Sequence, residues 1–158
     1  MSDEMMVQAQ HQAGLSFEIS SGSGHRFLVD TDQEGGGQNA GASPMELLLA
    51  GLAGCTGISV IGILKKRRQN VHNYAITVHG LRASNHPKVF NTITIEHVVT
   101  GHNLNPQAVE RAIALTEKQY CGAGAMLSKT AQIQHTIRIV ESEENAESPT
   151  APAVAISQ

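Results

Sequence analysis

Short segments of alternating apolar and polar residues recur along the chain, which is the pattern of strands that bury one face. Residues 15–19 and 25–30 alternate in this way around a Ser/Gly turn and predict a hairpin. Three further strands are predicted at residues 74–81, 89–99 and 132–140. The last is the most regular, since one of its faces carries Ile133, His135, Ile137 and Ile139.

A helix start follows a glycine-rich segment at residues 31–42, which we interpret as a flexible surface loop. Ser43 stands at the cap, Pro44 at the first helical position and Glu46 three residues after the cap, which together form a capping box. The helix is predicted to run to about residue 69. Because residues 47–64 carry no charge, we expect this helix to be buried on all sides.

The uncharged stretch of this helix also reaches the lower length limit of a membrane span, with the basic residues 65–68 as its flank. Four glycines at positions 51, 54, 57 and 62 weaken its hydrophobicity, and the predicted strands need a helix to pack against. We therefore favour a core helix that lets another backbone approach closely. The basic run is interpreted as a favourable helix C-terminus.

A second helix is predicted from Pro106, capped by Asn105, to about residue 120, and residues 125–129 can form a short third helix. The element order β-β-α-β-β-α-(α)-β predicts an α+β domain with an antiparallel sheet and one long central helix. We expect a single domain over residues 14–140. Residues 1–13 form a polar, frayed segment in this prediction, and residues 141–158 form a disordered tail.

Composition narrows the classes of function. Of 158 residues 41% are hydrophobic but only 3% aromatic, so the core is aliphatic. A formal net charge of −3 without a basic stripe argues against nucleic-acid binding. The acidic start has no apolar signal segment, which predicts a cytoplasmic, reducing environment without a membrane partner.

Two cysteines, Cys55 and Cys121, are too few for a disulfide scaffold and lack the spacing of a zinc or thioredoxin motif. They are either small core residues or redox-active thiols. A reactive thiolate needs a lowered pKa, and Cys55 lies twelve residues past the cap, beyond the reach of the helix N-terminus. A cation from elsewhere in the fold would have to supply that effect.

The sequence shows no motif for metal binding, for another catalytic nucleophile or for phosphate binding. The eight histidines show no helical pair with metal-ligand spacing. No nucleophile turn or phosphate-binding loop is present either. We therefore predict neither a metal nor a cofactor.

These segments together resemble the OsmC/Ohr family of osmotically inducible and organic-hydroperoxide-resistance proteins. The resemblance spans roughly residues 24–140 and is nearest to a less studied branch with a Gly-His-x-Phe/Leu-x-Val-Asp start and a Leu-Lys-Lys-Arg helix end. The residues that carry it are Ser-Pro-Met-Glu-Leu-Leu-Leu-Ala-Gly-Leu-Ala-Gly-Cys ending at Cys55, His-Pro-Lys-Val-Phe at 86–90, Glu-Arg-Ala-Ile at 110–113 and Lys-Gln-Tyr-Cys ending at Cys121.

The resemblance implies an OsmC-like intertwined homodimer in which antiparallel sheets wrap around long central helices. It also implies thiol peroxidase chemistry on a small organic hydroperoxide. The Cys55 thiolate attacks the terminal peroxide oxygen, an alcohol leaves, and Cys55 becomes a sulfenic acid. Cys121 then condenses with it to a disulfide, which an external dithiol reduces.

One position departs from the family pattern. Family members place a Glu directly after the helix-opening proline, and that Glu orders the site together with an Arg. Here Met45 holds that position, and Glu46 follows one step, or about 100°, further around the helix. Arg26 is our candidate for the activating cation and Glu46 for its partner. Met45 also favours an alternative, a non-catalytic redox-sensing or apolar-ligand-binding dimer on the same fold.

Overall fold

The computed structural model describes residues 4–143, and its contacts divide the chain into two compact units, one ending at Ala50 and the other beginning at Gly51. The first unit contains an antiparallel sheet of three strands, ordered β1 (Val7–His11), β2 (Phe17–Ser21) and β3 (Arg26–Val29). The predicted hairpin is thus confirmed. One face of the sheet is apolar and carries Val7, Ala9, Phe17, Ile19, Phe27 and Val29.

Strand β1 lies in the segment that was expected to be frayed, so that expectation is wrong. It pairs with β2 over its whole length, from Val7 opposite Ser21 to His11 opposite Phe17. All five of its residues are exposed. The strand is therefore held by backbone hydrogen bonds to its neighbour and not by burial of its own side chains.

The glycine-rich loop after β3 is tied to the buried carboxylate of Asp30, which is 3% exposed. Its Oδ1 accepts a hydrogen bond from the amide of Thr31 at 2.8 Å, and its Oδ2 accepts from the amides of Gln38 at 3.0 Å and Ala40 at 3.1 Å. These backbone donors hold the pKa of Asp30 below its ordinary value. A side chain at Gly37 would collide with the carbonyl group of Thr31, so the close turn around the carboxylate requires glycine.

Helix α1 (Pro44–Lys66) begins with the predicted capping box. The amide of Ser43 donates to the Glu46 carboxylate at 2.7 Å, and the amide of Glu46 donates to the Ser43 hydroxyl at 3.3 Å. The Ser43 hydroxyl also donates to the carboxylate at 2.8 Å. The box fixes the start of the helix at Pro44, as the sequence predicts.

Burial of α1 on all sides, which its lack of charge predicted, is wrong for the single chain. Only a stripe of residues spaced four apart is buried, while Ile58 on another face is 75% exposed and Leu48 is 47% exposed. Within residues 4–143, α1 is also the one helix with the length and composition to cross a membrane. The buried stripe consists of Leu52, Thr56, Val60 and Leu64.

The second unit contains a sheet ordered β4 (Asn70–Arg82), β5 (Phe90–His102) and β6 (Gln132–Glu141). Strands β4 and β5 are antiparallel, as expected, but β5 and β6 are parallel. The expectation of purely antiparallel pairing is therefore wrong for β6. A parallel neighbour requires a crossover, and the helices between β5 and β6 provide it.

The crossover consists of α2 (Pro106–Leu115), a π-helical turn (Thr116–Tyr120) and α3 (Gly122–Leu127). The Asn105 side chain caps α2 as predicted, because it accepts hydrogen bonds from the amides of Gln107 and Ala108. The core of this unit packs α1 and α2 onto the sheet. Its buried members are Val60, Leu64, Val99, Leu104, Val109, Ala112 and Ile113.

Candidate functional site

Cys121 lies between the π-helical turn and α3, is 4% exposed and is a free thiol. The turn closes with the Cys121 amide donating to the carbonyl of Thr116 at 2.9 Å. The sulfur then caps α3, because it accepts a hydrogen bond from the amide of Gly124 at 3.2 Å. It also lies 3.4 Å from the hydroxyl of Thr56 on α1, the residue that follows Cys55.

The structure brings together the two cysteines that the sequence singled out. Cys55 is free and partly exposed in the middle of α1, and its side chain neighbours that of Cys121 closely enough to affect its ionisation. Burial raises the pKa of Cys121 above its ordinary value, and the proximity of Cys55 adds to this effect. The hydrogen bonds from Thr56 and Gly124 act in the opposite direction. Cys121 is therefore a protonated thiol at neutral pH.

A cavity of about 190 Å³ lies beside Cys121. Its walls come from α1, β5, the π-helical turn, α3 and β6, and they combine aliphatic side chains with several polar groups. An apolar molecule with one polar end suits such a lining. The residues around it are Leu52, Thr56, Ile95, Glu117, Cys121, Gly124, Ala125, Ser128, Ile133 and His135.

A chain of polar rings crosses the sheet to this cavity. The Tyr74 hydroxyl is 2.7 Å from Nδ1 of His97, and Nε2 of His97 is 2.9 Å from Nδ1 of His135. Nε2 of His135 lies 3.7 Å from the Glu117 carboxylate. We call these four residues the Tyr–His–His–Glu chain. Diagonal neighbours on adjacent strands share a sheet face, which explains why the three rings meet.

Burial sets the protonation states of the side chains in the Tyr–His–His–Glu chain. It lowers the pKa of His97 to about 4, with a further contribution from His135. Burial also lowers the pKa of His135, whereas the Glu117 carboxylate acts in the opposite direction. Both imidazoles are thus neutral at neutral pH. Burial raises the pKa of Tyr74, so its hydroxyl keeps its proton.

The Tyr–His–His–Glu chain was not predicted from the sequence, although the sequence carries a signal for its two histidines. His97 interrupts the aliphatic row of β5 between Ile95 and Val99, and His135 interrupts that of β6 between Ile133 and Ile137. A histidine on an otherwise apolar strand face must find buried partners. The strand order that makes them partners of each other cannot be read from spacing.

The candidate cation and its partner are occupied within the first unit. Nη1 of Arg26 lies 3.5 Å from the Glu18 carboxylate on the neighbouring strand, and the Arg26 side chain is 71% exposed. Hydrogen bonds from Ser43 hold the pKa of Glu46 below its ordinary value. The catalytic assignments of Arg26 and Glu46 stay predictions.

No set of three or more potential metal-ligating His, Cys, Asp or Glu side chains converges within the part of the chain that the structure describes. The polar side chains that line the cavity are the Cys121 thiol, the hydroxyls of Thr56 and Ser128, the His135 imidazole and the Glu117 carboxylate. Such a set supports thiol and proton-transfer chemistry.

Comparisons with known proteins identify the family and the fold. Residues 35–136 match the family model described as OsmC-like protein. Protein YhfA of Escherichia coli K12 is 35% identical over 136 residues, covering 86% of this chain and 98% of the relative. A hypothetical protein of Aquifex aeolicus has a similar structure, with a TM-score of 0.80, 27% identity and coverage of 90% and 100%. The organic hydroperoxide resistance protein OhrB of Bacillus subtilis shares the fold, with a TM-score of 0.59, 16% identity and coverage of 85% and 98%.

Proposed function

Since the chain belongs to the OsmC-like family, whose fold is shared by organic hydroperoxide resistance proteins, we propose that it is a thiol peroxidase for organic hydroperoxides. The observation that carries the proposal is the neighbouring pair of free thiols in unequal environments. Cys55 is partly exposed, whereas Cys121 is buried and protonated. The pair thus separates the attacking role from the resolving role.

The reaction runs in three balanced steps. The Cys55 sulfur attacks the terminal oxygen of the hydroperoxide, the O–O bond breaks, and the alcohol leaves with a proton while Cys55 becomes a sulfenic acid. Cys121 then loses its thiol proton and attacks the Cys55 sulfur, so that a disulfide forms and the hydroxyl group of Cys55 leaves with that proton as water. An external dithiol reduces the disulfide and regenerates both thiols. A cytoplasmic location, which we also propose, would provide such reductants.

The lining of the cavity supports an organic substrate over hydrogen peroxide. Leu52, Ile95 and Ile133 form an apolar wall beside Cys121. Burial of an alkyl or aryl group contributes about 25 cal/mol per Å² of apolar surface, which hydrogen peroxide cannot gain. Selectivity for the organic group is therefore part of the proposal.

We also propose that two copies associate through apolar surfaces that the single chain leaves open. Ile58 is exposed on α1, where Gly51 and Gly54 would let another backbone approach closely. In the first unit, Phe17 and Phe27 on the apolar sheet face are 39% and 43% exposed. We propose that a second copy covers these surfaces, as in the intertwined dimer that the family resemblance implies. The apolar face of α1 would then be buried by protein and would not need a membrane.

Stopped-flow oxidation of the reduced protein tests the peroxidase. With cumene hydroperoxide, we expect rapid loss of one thiol followed by disulfide formation, and slower reaction with hydrogen peroxide. Cys55→Ser should abolish peroxide consumption. Cys121→Ser should stop at a sulfenic acid that dimedone traps. If both thiols of the wild-type protein stay reduced in excess hydroperoxide, the proposal is wrong.

One observation favours a second function, a non-catalytic redox-sensing or apolar-ligand-binding dimer. Met45 replaces the family Glu, and Glu46 is engaged in the capping box. Without an ordered activating pair, a Cys55–Cys121 disulfide could form without efficient turnover. Repeated cycles of peroxide reduction with excess dithiothreitol distinguish the two, because the sensor would show one oxidation and no sustained consumption.

A further inference from the structure

The disulfide step of the proposed reaction requires a base near Cys121. Burial keeps the Cys121 thiol protonated at neutral pH, yet only its thiolate attacks the Cys55 sulfenic acid. The hydrogen-bond partners of the sulfur, Gly124 and Thr56, offer no titratable group, and the neighbouring Cys55 is the other reactant of the step. A proton acceptor must therefore come from the remaining lining of the cavity.

His135 supplies such an acceptor. Its Nδ1 is satisfied by His97 at 2.9 Å, whereas its Nε2 is buried and has no hydrogen-bond partner among residues 4–143. That atom lies 3.7 Å from the carboxylate of Glu117, which lines the same cavity as His135 and Cys121. A buried imidazole nitrogen without a partner is unusual in a folded protein and is free to exchange a proton.

We propose that His135 is the base that takes the proton of the Cys121 thiol across the cavity when the disulfide with Cys55 forms. The proposal rests on the proposed peroxidase function and names the base for the Cys121 proton, which the two cysteines alone do not supply. The cavity of about 190 Å³ has room for water molecules that would relay the proton between sulfur and ring. Glu117, His97 and Tyr74 act through His135 and are positioning residues.

Two proton arrangements along the Tyr–His–His–Glu chain explain how His135 becomes a base. In the first, Tyr74 donates to Nδ1 of His97, Nε2 of His97 donates to Nδ1 of His135, and His135 carries its proton on Nε2. In the second, both inter-ring bonds reverse, because Nδ1 of His135 donates to His97 and Nδ1 of His97 donates to the Tyr74 oxygen. His135 then presents a free lone pair on Nε2.

The proton and electron balance of the step closes without an external oxidant. The proton of Cys121 moves to Nε2 of His135 as the sulfur attacks the sulfur of Cys55. The S–O bond of the sulfenic acid breaks, and the departing hydroxide takes that proton from the His135 imidazolium and leaves as water, so that His135 returns to its neutral form. The nearby Glu117 carboxylate favours the transient imidazolium, which is the direction of its effect on the pKa of His135.

Within the part of the chain that the structure describes, the titratable groups around His135 come from four neighbouring elements and from Cys121. They are Glu117 on the π-helical turn, Cys121 before α3, His97 on β5 and Tyr74 on β4, with Cys55 next to Cys121 on α1. Because His135 must be neutral to act as a base and burial lowers its pKa, the rate of disulfide formation should fall only in a pH range that lies below the ordinary histidine value. At pH values above this decrease and below the pH at which Cys121 itself ionises, the rate should be constant.

The test compares His135→Asn with the wild-type protein in two-phase stopped-flow measurements across this pH range. The Asn side chain keeps a polar atom toward His97 and removes the ring base. We expect an unchanged first phase, which forms the sulfenic acid, and a second phase that is slower by about 10²-fold at neutral pH. Its rate should then rise about tenfold per pH unit as the Cys121 thiolate fraction increases.

Glu117→Gln is the second variant and guards against misfolding of the first, because the Glu117 side chain is 53% exposed. Loss of the carboxylate lowers the pKa of His135 further, so the acid limb of the second phase should move to lower pH. His79→Asn, which changes an exposed histidine on β4, should leave both phases unchanged. An unaltered second phase and pH profile in His135→Asn and Glu117→Gln would overturn the proposal.

Failure of the peroxidase can be told apart from failure of the base. Oxidised glutathione can place a mixed disulfide on Cys55, and its displacement by Cys121 needs loss of the same thiol proton. If hydroperoxide does not oxidise Cys55 but His135→Asn slows this displacement with the altered pH profile, the base is supported and the peroxidase is not. If the displacement is equally fast in both proteins, the base is refuted.

Discussion

His97 shows how a single buried residue makes the stability of this protein depend on pH. It is 1% exposed, and both of its ring nitrogens have hydrogen-bond partners, Tyr74 and His135. Its pKa falls to about 4 in the folded protein, whereas the unfolded chain keeps the ordinary value near 6.5. Unfolding below the ordinary value therefore takes up a proton, and acid favours the unfolded state.

We expect the free energy of unfolding to decrease as pH falls from about 6.5 toward about 4, by about 3 kcal/mol from His97 alone. His135 adds to the decrease, because its pKa is lowered too. Above the ordinary histidine value neither contribution changes with pH. Urea unfolding at neutral pH and in acetate buffer measures the difference.

His97→Gln cannot titrate and should lose a large part of this pH dependence, whatever its stability at neutral pH. The matched change His25→Gln, at an exposed histidine, should keep it. An identical pH dependence in His97→Gln and in the wild-type protein would show that His97 is not neutral in the folded state.

The sequence allowed prediction of the two cysteines but not of the residues that surround them. Cys55 and Cys121 each follow a recognisable family motif. His97 and His135 are 38 positions apart and become neighbours only through the pairing of β5 with β6. Contacts of this kind depend on strand order, which local patterns do not encode.

At the scale of elements, the start of α1 depends on a local device whose strength can be measured. The reciprocal hydrogen bonds between Ser43 and Glu46 satisfy amides that the first turn leaves without partners. The device also gives Glu46 a structural role that competes with the catalytic role suggested by the family resemblance.

Ser43→Ala should lower the free energy of unfolding by about 1 kcal/mol, because it removes the side-chain acceptor of the cap. Ser43→Thr keeps the hydroxyl and should recover most of the loss. Urea denaturation of the three proteins at neutral pH gives the comparison. Equal stability of Ser43→Ala and the wild-type protein would mean that the cap contributes nothing measurable.

Prediction of the elements succeeded where the local signal was strong. Capping residues located α1 and α2, and regular alternation located β6. β1 was missed because Val7 and Ala9 are its only apolar residues, so its pairing with β2 has no counterpart in the hydrophobic pattern. The π-helical turn was also missed, since Thr116–Tyr120 continues the predicted helix without a glycine or proline that would mark the change.

At the scale of the whole molecule, the single chain leaves large apolar side chains of α1 exposed. Ile58 is 75% exposed and Leu48 is 47% exposed, both within residues 47–64 of α1, which carry no charge. Exposure of this kind typically marks an association surface. The expectation of burial on all sides of α1 would then hold in an assembly, although it fails in one chain.

Ile58→Glu should convert the proposed dimer to a monomer, because a carboxylate cannot be buried without a partner in an apolar interface. Size-exclusion chromatography with light scattering measures the mass of each protein. Leu81→Glu changes a residue that is 67% exposed at the end of β4 and should leave the dimer intact. A monomeric wild-type protein would contradict the proposed association.

The parallel pairing of β6 has a consequence for synthesis on the ribosome. Thr92 pairs with Gln132, so β5 must wait for a segment that is translated 40 residues later. Ile133 and His135, which close one wall of the Cys121 cavity, belong to that late segment. A nascent chain that has not yet released β6 therefore lacks one wall of the Cys121 cavity, and a messenger truncated before codon 132 would encode both cysteines without that wall.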